Sequence, residues 1–324
     1  MEQLLADSDC LAVNLHQELA PVGGWDVPVS PPLTNRAPHD AAPGYAINGL
    51  RDGTAMVSLD SVASQAQRMA AVFHGSLAGY VPKVEVAVGD TNIPVTALPN
   101  GLTEPAIRTS DLDEVITAAF RAYADGDPLP IAAIAPTTLV YGAFDADRTR
   151  IRIPRLLRSE IQAWDVDPLT QPAPLGDPRD ADPGAYAPEH SRNNDHAPGA
   201  VAADGTPDGV MVHGRIKHTA TLHFPGLRQL EEAHDGLATY VLGLALGGLW
   251  RGGLEYNLRP GCELVRQAAP SVEAVYRDSR RTGTSLNGSD IGKALLSASA
   301  AARQLELPLG EHRLAKANAA TRNA

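Results

Sequence analysis

Along residues 60–74, DSVASQAQRMAAVFH, apolar side chains return at helical intervals: Val62, Ala66, Met69 and Phe73 form one stripe, with Ser61, Gln65 and Arg68 opposite. This predicts an amphipathic helix with Ser58 or Asp60 as its N-cap. Leu112–Tyr123 repeats the period, and residues 289–306 carry it on Ile291, Leu295, Ala298 and either Ala302 or Leu305. Leu237–Trp250 is apolar nearly all round, the pattern of a buried helix. Strand patterns fall at Tyr45–Leu59 (two strands about a turn at Arg51–Gly53), at Val84–Val88 with Ile93–Leu98, and at Val210–Phe224. In the last of these, a two-residue period puts His213, Arg215 and Lys217 on one face.

Thr137–Phe144 reads as an apolar strand that turns at Asp145–Asp147 into a second strand, where Arg148, Arg150 and Arg152 alternate with Thr149, Ile151 and Ile153. Pro154 suits the first turn of a helix running from Arg155 to about Asp165. That helix would bury Leu157, Ile161 and Trp164 and turn Arg155, Arg158 and Gln162 elsewhere. Signals from Met1 to Asn35 are mixed. Residues 168–208 are rich in Pro, Asp, Gly, Ala and His, so they read as a long polar loop or projecting insertion, and 308–324 as a flexible tail. Two β-α-β-like stretches broken by insertions predict an α+β fold of the ferredoxin or RRM-like class: an antiparallel sheet with helices on one face. The open sheet of that class commonly receives single-stranded RNA.

Charge sharpens this reading. The chain of 324 residues carries a formal net charge of −11, which argues against broad, non-specific nucleic-acid binding but leaves room for a focused basic groove. Arg148–Arg158, RTRIRIPRLLR, concentrates five arginines without an acid. Two readings stand: charges guarding a strand edge, or guanidinium forks gripping a polyanion. The helix face with Gln65 and Arg68 is polar but almost uncharged, as a solvated face or as a hydrogen-bonding surface for phosphate and sugar.

Catalytic chemistry finds little support. GxSxG, HExxH, a Walker loop and a GxGxxG after a strand are all missing. His213, His218 and His223 are spaced by five, and Asp145 with Asp147 reads as turn chemistry. No cofactor or metal is expected. Cys10 and Cys262 lack metal-ligand spacing and suit a reducing compartment. With no apolar run long enough to span a bilayer and no secretory leader pattern near Glu2, Asp7 and Asp9, the expectation is a cytoplasmic protein without membrane contact.

Four segments carry a family resemblance. LDSVASQAQRM at Leu59–Met69 resembles the signature LDS-x-x-SQANR. IAPTTLVYGAF at Ile134–Phe144 and RIPRLLRSEIQAWDV at Arg152–Val166 resemble LAPTSLLFGxW…RIPRxxRSEI, and LRPGCELV at Leu258–Val265 resembles a C-terminal motif of the same family. In this order, over roughly residues 40–265, they are similar to the type I-G (formerly I-U) CRISPR backbone subunit, a Cas seven family member of the RAMP superfamily.

The resemblance implies a single RAMP-type domain over residues 1–324, with an RRM-like palm carrying inserted finger and thumb subdomains. Copies would polymerise along a CRISPR RNA, with other Cascade subunits as partners, and present the guide for pairing with target DNA. Ser64, Gln65 and Arg68 match the first motif, and Arg152, Arg155, Arg158 and Ser159 the second; these are the implied guide contacts, with Arg155 and Arg158 as phosphate clamps. His213, Arg215 and Lys217 join them as a second basic strand, while Arg148 and Arg150 lie outside the motif. Gln67 stands where the family has Asn, and Pro99–Asp111 echoes the family's middle region only loosely. The rival readings are a metal-dependent RAMP-type endoribonuclease using Asp60 or Asp147, and an acidic α+β protein that binds a protein partner.

Overall fold

The computed structural model describes residues 1–34, 44–171 and 206–316. Among these, nine strands form one antiparallel sheet: β1 (Cys10–Pro21), β2 (Ile47–Gly49), β3 (Ala55–Asp60), β4 (Leu157–Trp164), β5 (Ile216–His223), β6 (Asn257–Arg259), β7 (Cys262–Arg266), β8 (Ser271–Tyr276) and β9 (Arg281–Thr284). The spatial order is β6-β7-β1-β5-β4-β3-β2. β1 is long enough to pair β8 along Cys10–His16 and β7 along Leu19–Pro21, and β9 extends the sheet beyond β8.

Six helices matter for the site: α1 (Val62–Ala71), α2 (Asp113–Ala124), α3 (Thr137–Tyr141), α4 (Phe224–Ala233), α5 (Leu237–Gly248) and α6 (Gly288–Gln304). α1, α3 and α4 pack on the face of the sheet from which Leu157, Ile161 and Leu222 point inward, and α5 lies among α3, α4 and α6. Met69, Phe73, Phe224 and Tyr240 are fully buried there, each contributing about 2 kcal/mol by leaving water. The expected α+β class, an antiparallel sheet with packed helices, is therefore the one observed.

Local expectations held where the pattern was unambiguous. α1 buries Ala66 and Met69, although its cap is Ser61, whose hydroxyl accepts from the Ser64 amide at 3.2 Å. The β2–β3 hairpin, α5 and α6 fall as expected, α6 with a capping box on Asn287 and Asp290.

Elsewhere the structure corrects the pattern. Leu157–Trp164 is a strand instead of a helix, with alternating burial. Leu157 and Ile161 are four residues apart, a spacing shared by both periods, and the polar Ser159 between them hides the alternation. Thr137–Tyr141 is a helix instead of a strand, buried at all five positions, so no face marks its period. It stops at Gly142, where φ is +76° and a Cβ would lie 2.9 Å from the Ile153 carbonyl.

Arg148–Ile151 form a loop in which Arg150 has φ +58°, and only Arg152–Ile153 pair, with Ala143–Phe144. The strand alternation of β1 is masked in the sequence because the polar Gln17 sits at an inward position, 1% exposed, donating to the carbonyls of Glu18 (2.9 Å) and Ala268 (2.7 Å). The Ile93–Leu98 strand ends at Pro94.

The polar segment 168–208 begins and ends in a hairpin, Val166–Gln171 against Thr206–Val212; residues 172–205 lie outside those described. The tail is not loose from residue 308: His312–Ala315 pair in parallel with Lys83–Val88 and bury Ala315, and 317–324 lie outside the described residues.

Candidate nucleic-acid interface

Three of the four motif segments meet in one buried chain of hydrogen bonds. Asp60, at the end of β3 and fully buried, takes Arg68 Nε at 2.9 Å and Gln65 Nε2 at 2.6 Å on one oxygen, and an Arg259 terminal nitrogen at 3.4 Å on the other. Arg68 also donates to the Leu258 carbonyl, and Arg259 to the Leu59 carbonyl at 2.7 Å. A carboxylate between two guanidiniums only accepts, which fixes the direction of the rest. Gln65 turns its amide nitrogen to Asp60 and its oxygen to Ser159, whose hydroxyl donates at 2.9 Å. Ser159 Oγ, having given its proton, accepts from His218 Nε2–H at 2.7 Å. His218 Nδ1 is left to accept from the Tyr256 hydroxyl at 3.0 Å.

This order requires a neutral His218. Burial, reinforced by the positive Arg266, pushes its pKa down to about 4. Burial likewise raises the Tyr256 hydroxyl, and it pushes Cys262, beside Arg259, up to about 12. The chain ties β3, α1, β4, β5 and the turn-rich C-terminal motif together, so its members act as positioning groups.

Gln65 and Ser159, expected as guide contacts, are 0% exposed and face each other across this interior; that expectation is corrected. Arg68 is partly exposed at the rim of the same network, and Ser64 sits half-buried on the first turn of α1. His218, Tyr256 and Arg259 were not singled out as site residues. Arg259 lies in the LRPGC motif, and His218 is a polar residue at an inward strand position, a signal that could have found it.

The arginine segment stands outside this interior. Asp145, buried, receives Arg108 at 3.0 Å and the Thr149 hydroxyl at 2.8 Å, which holds the turn, and Arg148 is paired with Asp113 at 3.1 Å. Arg152 is exposed, its guanidinium 4.5 Å from the Phe144 ring centroid. Arg155 is anchored by its Nε on the Tyr141 carbonyl at 2.7 Å, where partial burial and the like charge of Arg158 hold its pKa below the ordinary arginine value. Among the described residues neither Arg152 nor Arg155 has an acidic partner. Arg158, on the open face of β4, reaches Glu160 at 2.9 Å, a solvent-exposed pair of small net strength.

On that open face β4 presents Arg158, Glu160, Gln162 and Trp164; the neighbouring β5 presents Lys217, Thr219 and Thr221, with Gln162 in register with Lys217. His213 and Arg215 do not share a strand face with Lys217, which corrects the expected second basic strand: with Gly214 they make the turn before β5. His213 contacts Asp167 at 3.0 Å, and the Arg215 guanidinium lies 5.0 Å from the Trp164 ring.

Among the described residues, no group of three His, Cys, Asp or Glu side chains is placed to hold a metal ion, and no helix is long and apolar enough to cross a membrane.

Residues 13–168 match the family model described as CRISPR-associated protein GSU0053 (Cas_GSU0053), which bears out the CRISPR-associated resemblance read from the motifs. No curated protein matches the chain. A chain of a solved structure described as a CRISPR RNA-guided surveillance complex, pre-nicking, is 14% identical with a TM-score of 0.33, over 91% of this chain and 88% of that one. That likeness is too distant to add to the fold described above.

Proposed function

We propose that this chain, whose residues 13–168 match a CRISPR-associated family, is a non-catalytic RNA-binding backbone subunit of a type I interference complex. On this reading the nine-stranded sheet is an RRM-like palm carrying inserted subdomains. Copies line up along a CRISPR RNA in the cytoplasm beside other Cascade subunits, and the guide pairs with target DNA.

The observation that carries the proposal is the arginine segment. In a chain of net charge −11, Arg152 and Arg155 are exposed without an acidic partner among the described residues, and Arg155 feels the like charge of Arg158. A phosphate would relieve that repulsion and accept both planar forks. On the open face Lys217, in register with Gln162, is a lesser contact; Arg68 and Ser64 lie on α1 at the covered face, where the buried chain from Asp60 to Tyr256 holds β3, α1 and β4 in register.

The nuclease reading is less well supported. Both Asp60 oxygens are engaged by Gln65, Arg68 and Arg259 inside the fold, out of reach of a phosphodiester. Asp147 is exposed in a turn.

Binding of the full chain to a single-stranded RNA, measured against salt, tests the proposal. Replacing Arg155 and Arg158 with Ala should flatten the slope of log affinity against log salt by about 1.4, at roughly 0.7 per phosphate contact. An unchanged slope removes them from the interface. Metal-dependent cutting of that RNA, abolished by Asp147→Ala, overturns the non-catalytic reading.

A further inference from the structure

We infer that Trp164 and Arg215 form a base-stacking platform for single-stranded RNA at the far end of the open sheet face from the arginine segment, an inference that rests on the RNA-binding reading above. Trp164 is the last residue of β4, and its amide donates to the Arg215 carbonyl at 3.0 Å, so the two residues are backbone neighbours. The Arg215 guanidinium carbon lies over the Trp164 ring, 5.0 Å from its centroid, and Arg215 is exposed.

The turn that brings them together is tightly built. Asp165 takes φ +58°, a left-handed conformation unusual for a residue with a side chain. A Cβ on Gly214 would lie 2.6 Å from the Trp164 carbonyl, so only glycine fits without movement. The Asp165 amide donates to Ala55 at 2.7 Å and its carbonyl accepts from His213 at 2.8 Å, which locks the turn onto β3. Residues held in such sparsely populated conformations cluster at functional sites.

The chemistry fits a nucleobase. The guanidinium lies over the Trp164 ring on an exposed side chain that a second flat π system can reach; bases stack on arginine planes and indoles without regard to sequence. Trp164 and Arg158 point to the same side of β4, six residues apart, or about 20 Å at 3.3 Å per residue. Between them lie Gln162, Lys217 and Thr219, which can hydrogen-bond to sugar and phosphate. A strand gripped at Arg155 and Arg158 that crosses this face arrives at the Trp164–Arg215 pair.

The test uses the full chain with Trp25→Phe and Trp250→Phe, so that fluorescence reports Trp164 alone, and two synthetic RNA strands, one complete and one with abasic positions. The complete strand should quench the fluorescence. Trp164→Leu and Arg215→Gln should each weaken its binding by about 5- to 150-fold, the range of one stacked base, while leaving the abasic strand's binding unchanged. Arg215→Gln, at an exposed position, keeps the test open if Trp164→Leu proves unstable. If both variants bind the complete strand as wild type does while R155A/R158A loses it, the stacking platform is wrong and the RNA-binding reading survives. If the wild type binds neither strand, both are overturned.

Discussion

Protonating His218 should unfasten the interior. In the folded chain its Nε2–H is given to Ser159 and its Nδ1 accepts from Tyr256, so a second ring proton would face the Tyr256 hydroxyl proton. The folded pKa is depressed from the ordinary 6.5 to about 4, so between these values the unfolded chain binds the extra proton and the folded chain does not. Stability from this group is complete above the unfolded value, falls as pH drops through the window, and is fully lost below the folded value. At about 1.4 kcal/mol per pH unit the whole effect is roughly 3 kcal/mol, of which about 2 kcal/mol is gone at pH 5. Urea unfolding at pH 8 and pH 5 measures it, with His218→Gln as reference; the glutamine amide keeps a donor for Ser159 and does not titrate. His223, also depressed by burial, and the depressed carboxylates of Glu85 and Glu273 are present in both proteins and cancel. Wild type should lose about 2 kcal/mol more than the variant between the two pH values. Equal losses would refute the neutral, directed chain.

Two further substitutions probe the framework. Asp60→Asn leaves Arg68 and Arg259 without their shared counter-charge and should cost about 3 kcal/mol, read as a lower urea midpoint; a change under roughly 1 kcal/mol would show that the guanidiniums are adequately solvated at the rim. Gly142→Ala forces a Cβ against the Ile153 carbonyl and the Arg155 amide, backbone atoms that cannot swing aside. It should destabilise by about 2 kcal/mol and weaken RNA binding by moving the Arg155 anchor, whereas a neutral effect on both would refute the close approach.

What the sequence could carry by itself was local. The stripes Val62–Ala66–Met69–Phe73 and Ile291–Leu295–Ala298 are set by residues within a few positions of one another, and α1 and α6 fall where the pattern puts them. The charge contrast of Arg148–Arg158 was equally visible, because it needs only a count. Its shape was not: the apparent alternation of Arg148, Arg150 and Arg152 dissolves in a loop that buried Asp145 holds through Arg108 and Thr149.

The tertiary structure decided which polar residues face inward. Gln17, Gln65, Ser159 and His218 look like surface residues because their partners lie far along the chain; Ser159 meets Gln65 across 94 positions and His218 across 59. With those partners unseen, a polar residue in a strand erases the two-residue alternation, and the i to i+4 pair Leu157 and Ile161 then reads as a helix. Burying a polar group costs free energy unless a partner satisfies it. Where that partner is supplied by the fold, the sequence alone cannot show which side the residue takes.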